Sequence, residues 1–385
     1  MVDRSPAGGR HPAMVNDSAD IIVIGAGIIG CAIAYELALR GARVRVFDAR
    51  DIALGATQAS AGVLAPYIEA HEEGALRDLC TRSLALYDDF IARLRQDAHG
   101  PTQYFRTGTL ETASDDASAA RLKATAAALD GMGVRAEYLE SADVRRAEPA
   151  LAPETPGGLL VHTHGFVGAR ELAHALAEAA GRRGTPVERT CAVHRVTSDK
   201  TGISLDTDNG VVRASTIVLA AGSWTGQIPI AGVKPPPVRP IRGQLLSLNW
   251  IGEPLKRVVW GPSCYLVPWT NGSLLVGATA EEAGFDERAT VAGVRDLLDA
   301  VSELVPRAWQ AGFSGVRVGL RPATPDELPM IGRSTVMDGL VYATGHYRNG
   351  ILLAPLTAKL VADLLIDGRE GAELELTKPQ RFGAC

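Results

Sequence analysis

Residues 21–30 constrain the fold more than any other stretch. Ile21-Ile22-Val23-Ile24 is a run of four branched aliphatics, and Gly25-Ala26-Gly27-Ile28-Ile29-Gly30 follows it directly. Four such side chains in a row leave no polar face, so the segment reads as a strand covered on both sides, the habit of parallel sheets. Glycines at the first, third and sixth positions permit a tight turn, a close approach by a phosphate, and close packing of the next helix. An apolar helical run to Arg40 and a second strand at 44–47 complete a βαβ unit that ends at Asp48. A carboxylate about 20 residues beyond the glycines accepts hydrogen bonds from a ribose diol and repels a 2′-phosphate. The pattern predicts a bound adenine dinucleotide without that phosphate, its pyrophosphate facing the helix N-terminus. It leaves NAD and FAD equally open.

The rest of the composition narrows the partners. A chain of 385 residues, 46% hydrophobic, is long enough for two domains and a full core. A net charge of −5 gives no basic footprint, which argues against nucleic acid as a partner. The longest apolar tract, 351–366, is interrupted by Pro355, Lys359 and Asp363 and falls short of the ~20 residues of a membrane span. Cys31, Cys80, Cys191, Cys264 and Cys385 form no CxxC pair, so neither a zinc site nor a disulfide framework is expected, and reduced thiols fit a cytoplasmic protein. Residues 1–19 lack an apolar core and read as a disordered extension.

Further along, the small residues 55–62 suit neither helix nor strand but allow backbone N–H groups to approach a ligand closely. Apolar residues at three- and four-residue spacing predict helices over 75–95 and 117–129. Residues 159–162, a helix at 168–183, a single strand at 186–196 and a buried strand at 216–219 resume the α/β pattern. His162 and His164 have no third ligand nearby and read as strand-end residues. After Pro235, Pro236, Pro237 and Pro240, alternating segments predict an antiparallel sheet over 225–318 with one helix at 291–304. Residues 319–332 read as a proline-stiffened loop, and 340–366 as strand, glycine turn and helix. The expected architecture is α/β with two domains. A discontinuous Rossmann-like cofactor domain takes 20–62, 159–224 and 319–385, and an antiparallel-sheet substrate domain takes 63–158 and 225–318.

Three stretches, 21–38, 319–332 and 343–358, carry a specific resemblance. In them the chain resembles the D-amino-acid-oxidase family of flavoproteins, and the likeness extends over nearly everything after Ala19. The resemblance implies FAD, held non-covalently because no cysteine lies near Gly319. It implies oxidative deamination of a small amino acid, glycine first, with sarcosine and small D-amino acids as further candidates, hydrogen peroxide as co-product, and service to thiamine thiazole biosynthesis. It also implies a homo-oligomer. By the same likeness, Gly25, Gly27, Ile28, Ile29 and Gly30 line the pyrophosphate and Asp48 and Ala49 the adenosine ribose, with Val193 on the adenine side. Ala56, Thr57, Ala61, Gly62 and Val63 close over the flavin, and His346, Tyr347, Arg348, Asn349, Gly350, Ile351 and Leu352 hold its ring system. Arg321, Arg348 and Tyr265 bind the substrate, with no side-chain base. Ala280 stands where a bulkier side chain occurs in the family, implying a roomier pocket.

Overall fold

The computed structural model describes residues 19–69, 74–100, 102–200 and 202–383; the expected extension, Ala19 apart, and Cys385 lie outside the described residues. Ile21–Ile24 sits inside a six-stranded sheet. Across it run Met330–Arg333, Leu340–Thr344, Thr216–Leu219, Ile21–Ile24, Val44–Phe47 and Val187–Glu188. All neighbours are parallel except the first two strands, which are antiparallel.

Alternation along the first strand explains its unbroken apolar run. Ile21 and Val23 pack toward a helical layer formed by Ile28–Leu39, Ala75–Asp97, Ala169–Arg182 and Gly350–Ile366. Ile22 and Ile24 pack on the opposite side, against the antiparallel meander Val193–Asp199, Gly202–Thr207 and Gly210–Ala214. With both faces covered, every side chain of the strand is buried.

The helix Gly350–Ile366 contains Pro355, which cannot donate to the carbonyl of Ile351. Tyr87 Oη from the helix Ala75–Asp97 donates to that carbonyl instead. One turn earlier in that helix, the Ser83 hydroxyl donates to the next carbonyl, that of Leu352 (2.6 Å), and accepts from the Leu356 N–H (3.3 Å).

The second body is an eight-stranded sheet in the order Gly312–Ala323, Arg239–Asn249, Ser273–Gly277, Tyr265–Pro268, Val258–Trp260, Thr109–Thr112, Gly157–Val161 and Ala136–Glu140. Its pairings are antiparallel except where Val258–Trp260 meets Thr109–Thr112. The helix Val291–Leu304, at its expected place, covers one face through Leu297, Val301 and Leu304.

Three expectations need correction. Residues 159–162 do not resume the nucleotide-binding pattern: Gly157–Val161 belongs to the eight-stranded sheet, and the chain rejoins the helical layer only at Ala169. The single strand at 186–196 is two, because Thr190 turns through a left-handed conformation (φ 54°) between Val187–Glu188 and Val193–Asp199. Residues 319–323 are not loop but the end of the edge strand Gly312–Ala323. Pro322 is tolerated there because it faces Pro240 in the ladder and the strand's other side has no partner strand to receive an N–H. Among the described residues no helix is long and apolar enough to cross a membrane, and no group of three His, Cys, Asp or Glu side chains is placed to hold a metal ion.

Candidate active site

A cavity of about 580 Å³ is lined from both sheets. The glycine fingerprint forms one end, and its three glycines differ in what they permit. A Cβ on Gly25 (φ 112°) would stand 2.4 Å from the carbonyl oxygen of Ala220, and one on Gly30 would stand 1.8 Å from that of Gly25. Both serve chain packing. At Gly27 the nearest atom to a Cβ is Thr57 Oγ1 at 3.5 Å, so this glycine, which lines the cavity, leaves room for a ligand. The helix Ile28–Leu39 starts here, its Ile28 N–H donating to Thr57 Oγ1 (3.1 Å). N–H groups in a first turn have no intrahelical acceptor and carry the positive end of the helix dipole.

Asp48 follows the second strand and accepts from the N–H groups of Ala26 (2.6 Å) and Arg50 (2.8 Å). Burial raises its carboxyl above the ordinary range, while these two bonds and the Arg50 charge pull it back. Each oxygen keeps a lone pair for a further donor. Ala49, Val193 and Cys191 line the same end. Arg50 lies 4.3 Å over the Trp224 ring and pairs with both Glu287 oxygens (3.0 and 2.7 Å).

The small-residue stretch folds as a 3₁₀ turn, Ala56–Ala59, against the strand Gly312–Ala323. Gly319 makes that docking possible, since a Cβ there would lie 2.8 Å from Ala59 Cβ. Ala56 and Thr57 line the cavity. Ala61, Gly62 and Val63 do not: Ala61 packs with Phe166, Gly62 (φ 74°) lies against the Val167 carbonyl, and Val63 pairs with Phe166 in a separate small sheet. Gly30, Asn349 and Leu352 likewise stand behind the wall, whereas His346, Tyr347, Arg348, Gly350 and Ile351 form part of it.

The other end is built from charged and phenolic side chains. Arg321 projects from the edge strand, and its Nη1 donates to the Thr279 carbonyl (2.9 Å). Gly243, two residue pairs along the neighbouring strand and so on the same face, lies so close beneath the guanidinium that a Cβ would fall 2.3 Å from Nη1. Tyr265 stands directly across from Gly277, with its ring over that glycine and stacked on Trp260 (centroids 4.7 Å apart). Burial pushes the Tyr265 phenol up to about 12, so it is a hydroxyl donor at neutral pH. Arg348 comes from the turn after Leu340–Thr344. The Tyr347 N–H (φ 44°) ties that turn to the edge strand by donating to the Pro322 carbonyl (2.8 Å).

Sequence reasoning missed Glu69, at the end of the short helix Pro66–Glu69, which lines the cavity at this end. Burial raises its carboxyl, and the charges of Arg348 and Arg321 oppose that rise. Gly243, Gly277 and Thr279 were missed too; repetition of glycine opposite bulky cavity residues was the signal available, and it needs the register to be read. Ala280 is exposed and outside the lining, so it adds no room, contrary to expectation.

His346 is buried, with Nε2 at hydrogen-bond distance from Thr357 Oγ1 (3.0 Å). Burial lowers it to about 3, leaving a neutral ring. His164 is buried against Tyr67 and is lowered to about 3 in the same way. The four described cysteines are free and buried, and none adjoins Gly319.

The family described as FAD dependent oxidoreductase matches residues 20–364. A bifunctional protein ThiO/ThiG from a Nostoc species is 38% identical over 355 residues, covering 90% of this chain and 53% of that protein. The chain thus spans about half the length of that relative. Glycine oxidase of Geobacillus kaustophilus is 34% identical over 348 residues, covering 90% of this chain and 92% of the relative. A crystal structure of glycine oxidase from Geobacillus kaustophilus superposes with a TM-score of 0.89, over 94% of this chain and 99% of that one. The cavity fits the group this family carries: it is open above Gly27, offers unshared lone pairs on Asp48, and is long enough to join that end to a separate charged end. On the family match and that fit, the chain belongs to the FAD-dependent oxidoreductases of the D-amino-acid-oxidase family.

Proposed function

We propose that this protein oxidises glycine to glyoxylate and ammonia, consuming water and oxygen and releasing hydrogen peroxide, and that the reaction serves thiamine thiazole biosynthesis. One observation carries the substrate class. Arg321, Arg348 and Tyr265, from three separate elements, share one end of a cavity whose other end is the dinucleotide cradle. FAD, when bound, supplies the acceptor for the two electrons that leave the substrate carbon.

The remaining work falls to the protein's own groups. A planar guanidinium binds a carboxylate through two parallel N–H bonds, and Arg321 keeps donors for this beyond the one given to Thr279. Tyr265 adds a hydroxyl bond and, with its ring on Gly277, holds the carboxylate in a fixed orientation. Arg348 supplies further positive charge, which favours entry of an anion into a partly dry site. His346, neutral and engaged with Thr357, is a wall residue and not a proton acceptor. The six-stranded sheet would hold the cofactor and the eight-stranded sheet the substrate.

The test is to add glycine to the purified yellow protein without oxygen, follow visible flavin absorbance, and then admit air and assay peroxide. Bleaching, recovery in air and peroxide in proportion to glycine consumed are expected. A flavin that glycine leaves oxidised would reject glycine as substrate, and sarcosine and small D-amino acids are assayed in the same way.

A further inference from the structure

The charge at the substrate end is not simply positive. Of the acids among the described lining residues, Asp48 belongs to the nucleotide end, so Glu69 stands as the carboxylate facing Arg321 and Arg348. Helix Pro66–Glu69 is held in place by Tyr67, whose ring stacks on buried His164 (5.6 Å between centroids, 12° between planes). The groups that feel the charge of Glu69 come from four elements: Arg321 on the edge strand, Arg348 on the glycine turn, Tyr265 on its strand and Cys80 on the helix Ala75–Asp97. The N–H of Glu69 donates to the Ala65 carbonyl (3.0 Å), but among the described residues its carboxylate makes no hydrogen bond and no ion pair. Glu69 is half-buried, and a carboxylate partly withdrawn from water and left without donors is costly unless something completes it.

Two guanidiniums and one carboxylate match an α-amino acid zwitterion group for group. The substrate's carboxylate answers the arginines, and its ammonium supplies the donors that Glu69 lacks. Given the amino acid oxidase activity proposed above, on which this rests, we infer that Glu69 is the ammonium-binding residue of the site. It accepts the substrate's N–H groups while Arg321 takes the carboxylate. The pocket thereby selects zwitterions over plain carboxylic acids, which would bring a second negative charge toward Glu69 with no cation to offset it. A plain counter-ion of Arg348 would weaken every anionic ligand equally, and this distinguishes the two roles.

The experiment uses FAD-loaded Glu69→Gln beside the unaltered protein. Glycine KM and kcat are read from peroxide release, and acetate and glycolate affinities from perturbation of the flavin absorbance. Losing one charge-assisted bond to the ammonium should raise the glycine KM about 10- to 100-fold. Acetate and glycolate should bind as well as before or a few-fold more tightly, by about 2- to 5-fold, as a repelling charge is gone. If the glutamine variant does not retain FAD, Glu69→Ala is read against the same criteria. Glu69→Asp, which keeps the charge, should stay nearer the unaltered protein than either. Parallel weakening of glycine and acetate, or parallel tightening of both, would overturn the ammonium assignment while leaving the oxidase activity standing. An unaltered protein whose flavin no amino acid bleaches would overturn that activity, and the assignment with it.

Discussion

At the nucleotide end the cavity wall is mostly backbone: Gly25, Gly27 and the start of the helix Ile28–Leu39, all within one short stretch of chain. At the substrate end it is guanidinium, phenol and carboxylate, from residues 69, 265, 321 and 348. Backbone N–H groups are present whatever the side chains, so the first end depends on keeping glycine where Cβ would collide. The second depends on register. Arg321 reaches the cavity over Gly243, and Tyr265 over Gly277, because four strands of the eight-stranded sheet present these residues on one face. The difference is one of robustness: one ligand is recognised by local chain geometry, the other by the correct assembly of distant segments.

The sharpest way to break this division is Arg321→Ala. Truncating the partner of a bound carboxylate costs about 2–5 kcal/mol, so kcat/KM for glycine should fall about 30-fold or more. Flavin content, read from visible absorbance, should be unchanged. Normal glycine kinetics in that variant would remove the guanidinium from the substrate site, and loss of flavin would show that the two ends are not separable.

Asp48→Ala tests the opposite end. It removes an acceptor for the ribose and for the Ala26 and Arg50 N–H groups. FAD affinity, titrated by fluorescence quenching, should weaken about 10- to 100-fold, while the glycine KM of protein saturated with FAD stays as it was. Cofactor that survives dialysis as well as in the unaltered protein would deny Asp48 that role.

Smallest in effect is Tyr87→Phe, which touches neither ligand. It strips the Ile351 carbonyl of the donor that Pro355 cannot provide. A loss of about 1 kcal/mol is expected, seen as a Tm about 1–3 °C lower with both affinities unaltered. An unshifted Tm would mean that another donor reaches that carbonyl.

The comparison also explains what the sequence made legible. The fingerprint could be read because its physics is local: four aliphatics, three glycines and an acid at a set distance lie in one stretch, and the strand, helix and second strand formed as expected. Arg321 and Arg348 were visible because they fall in distinctive stretches, though Arg321 was assigned to a loop that is in fact an edge strand. Glu69 was not visible. Among the neighbouring acids Glu72 and Glu73, nothing marks it out, and its significance arises only from what faces it across the cavity. Gly243 and Gly277 were hidden for the same reason, since a glycine's purpose beneath an arginine or a tyrosine is fixed by strand pairing. The meander at 193–214 was missed because its first strand was merged with Val187–Glu188 across the turn at Thr190.

The order of the six-stranded sheet bears on how the protein is made. Ile21–Ile24 is translated long before its partners in the sheet: one neighbour is Thr216–Leu219, and beyond it lies Leu340–Thr344. Ala220, against which Gly25 packs, arrives long after that glycine, and Arg348 and Ile351 arrive later still. A nascent chain therefore displays its nucleotide fingerprint long before the cavity around it can close. Closure of the cavity waits for the helix Gly350–Ile366, whose Gly350 and Ile351 form part of its wall, so a chain cut short before that helix lacks one side of the cofactor site.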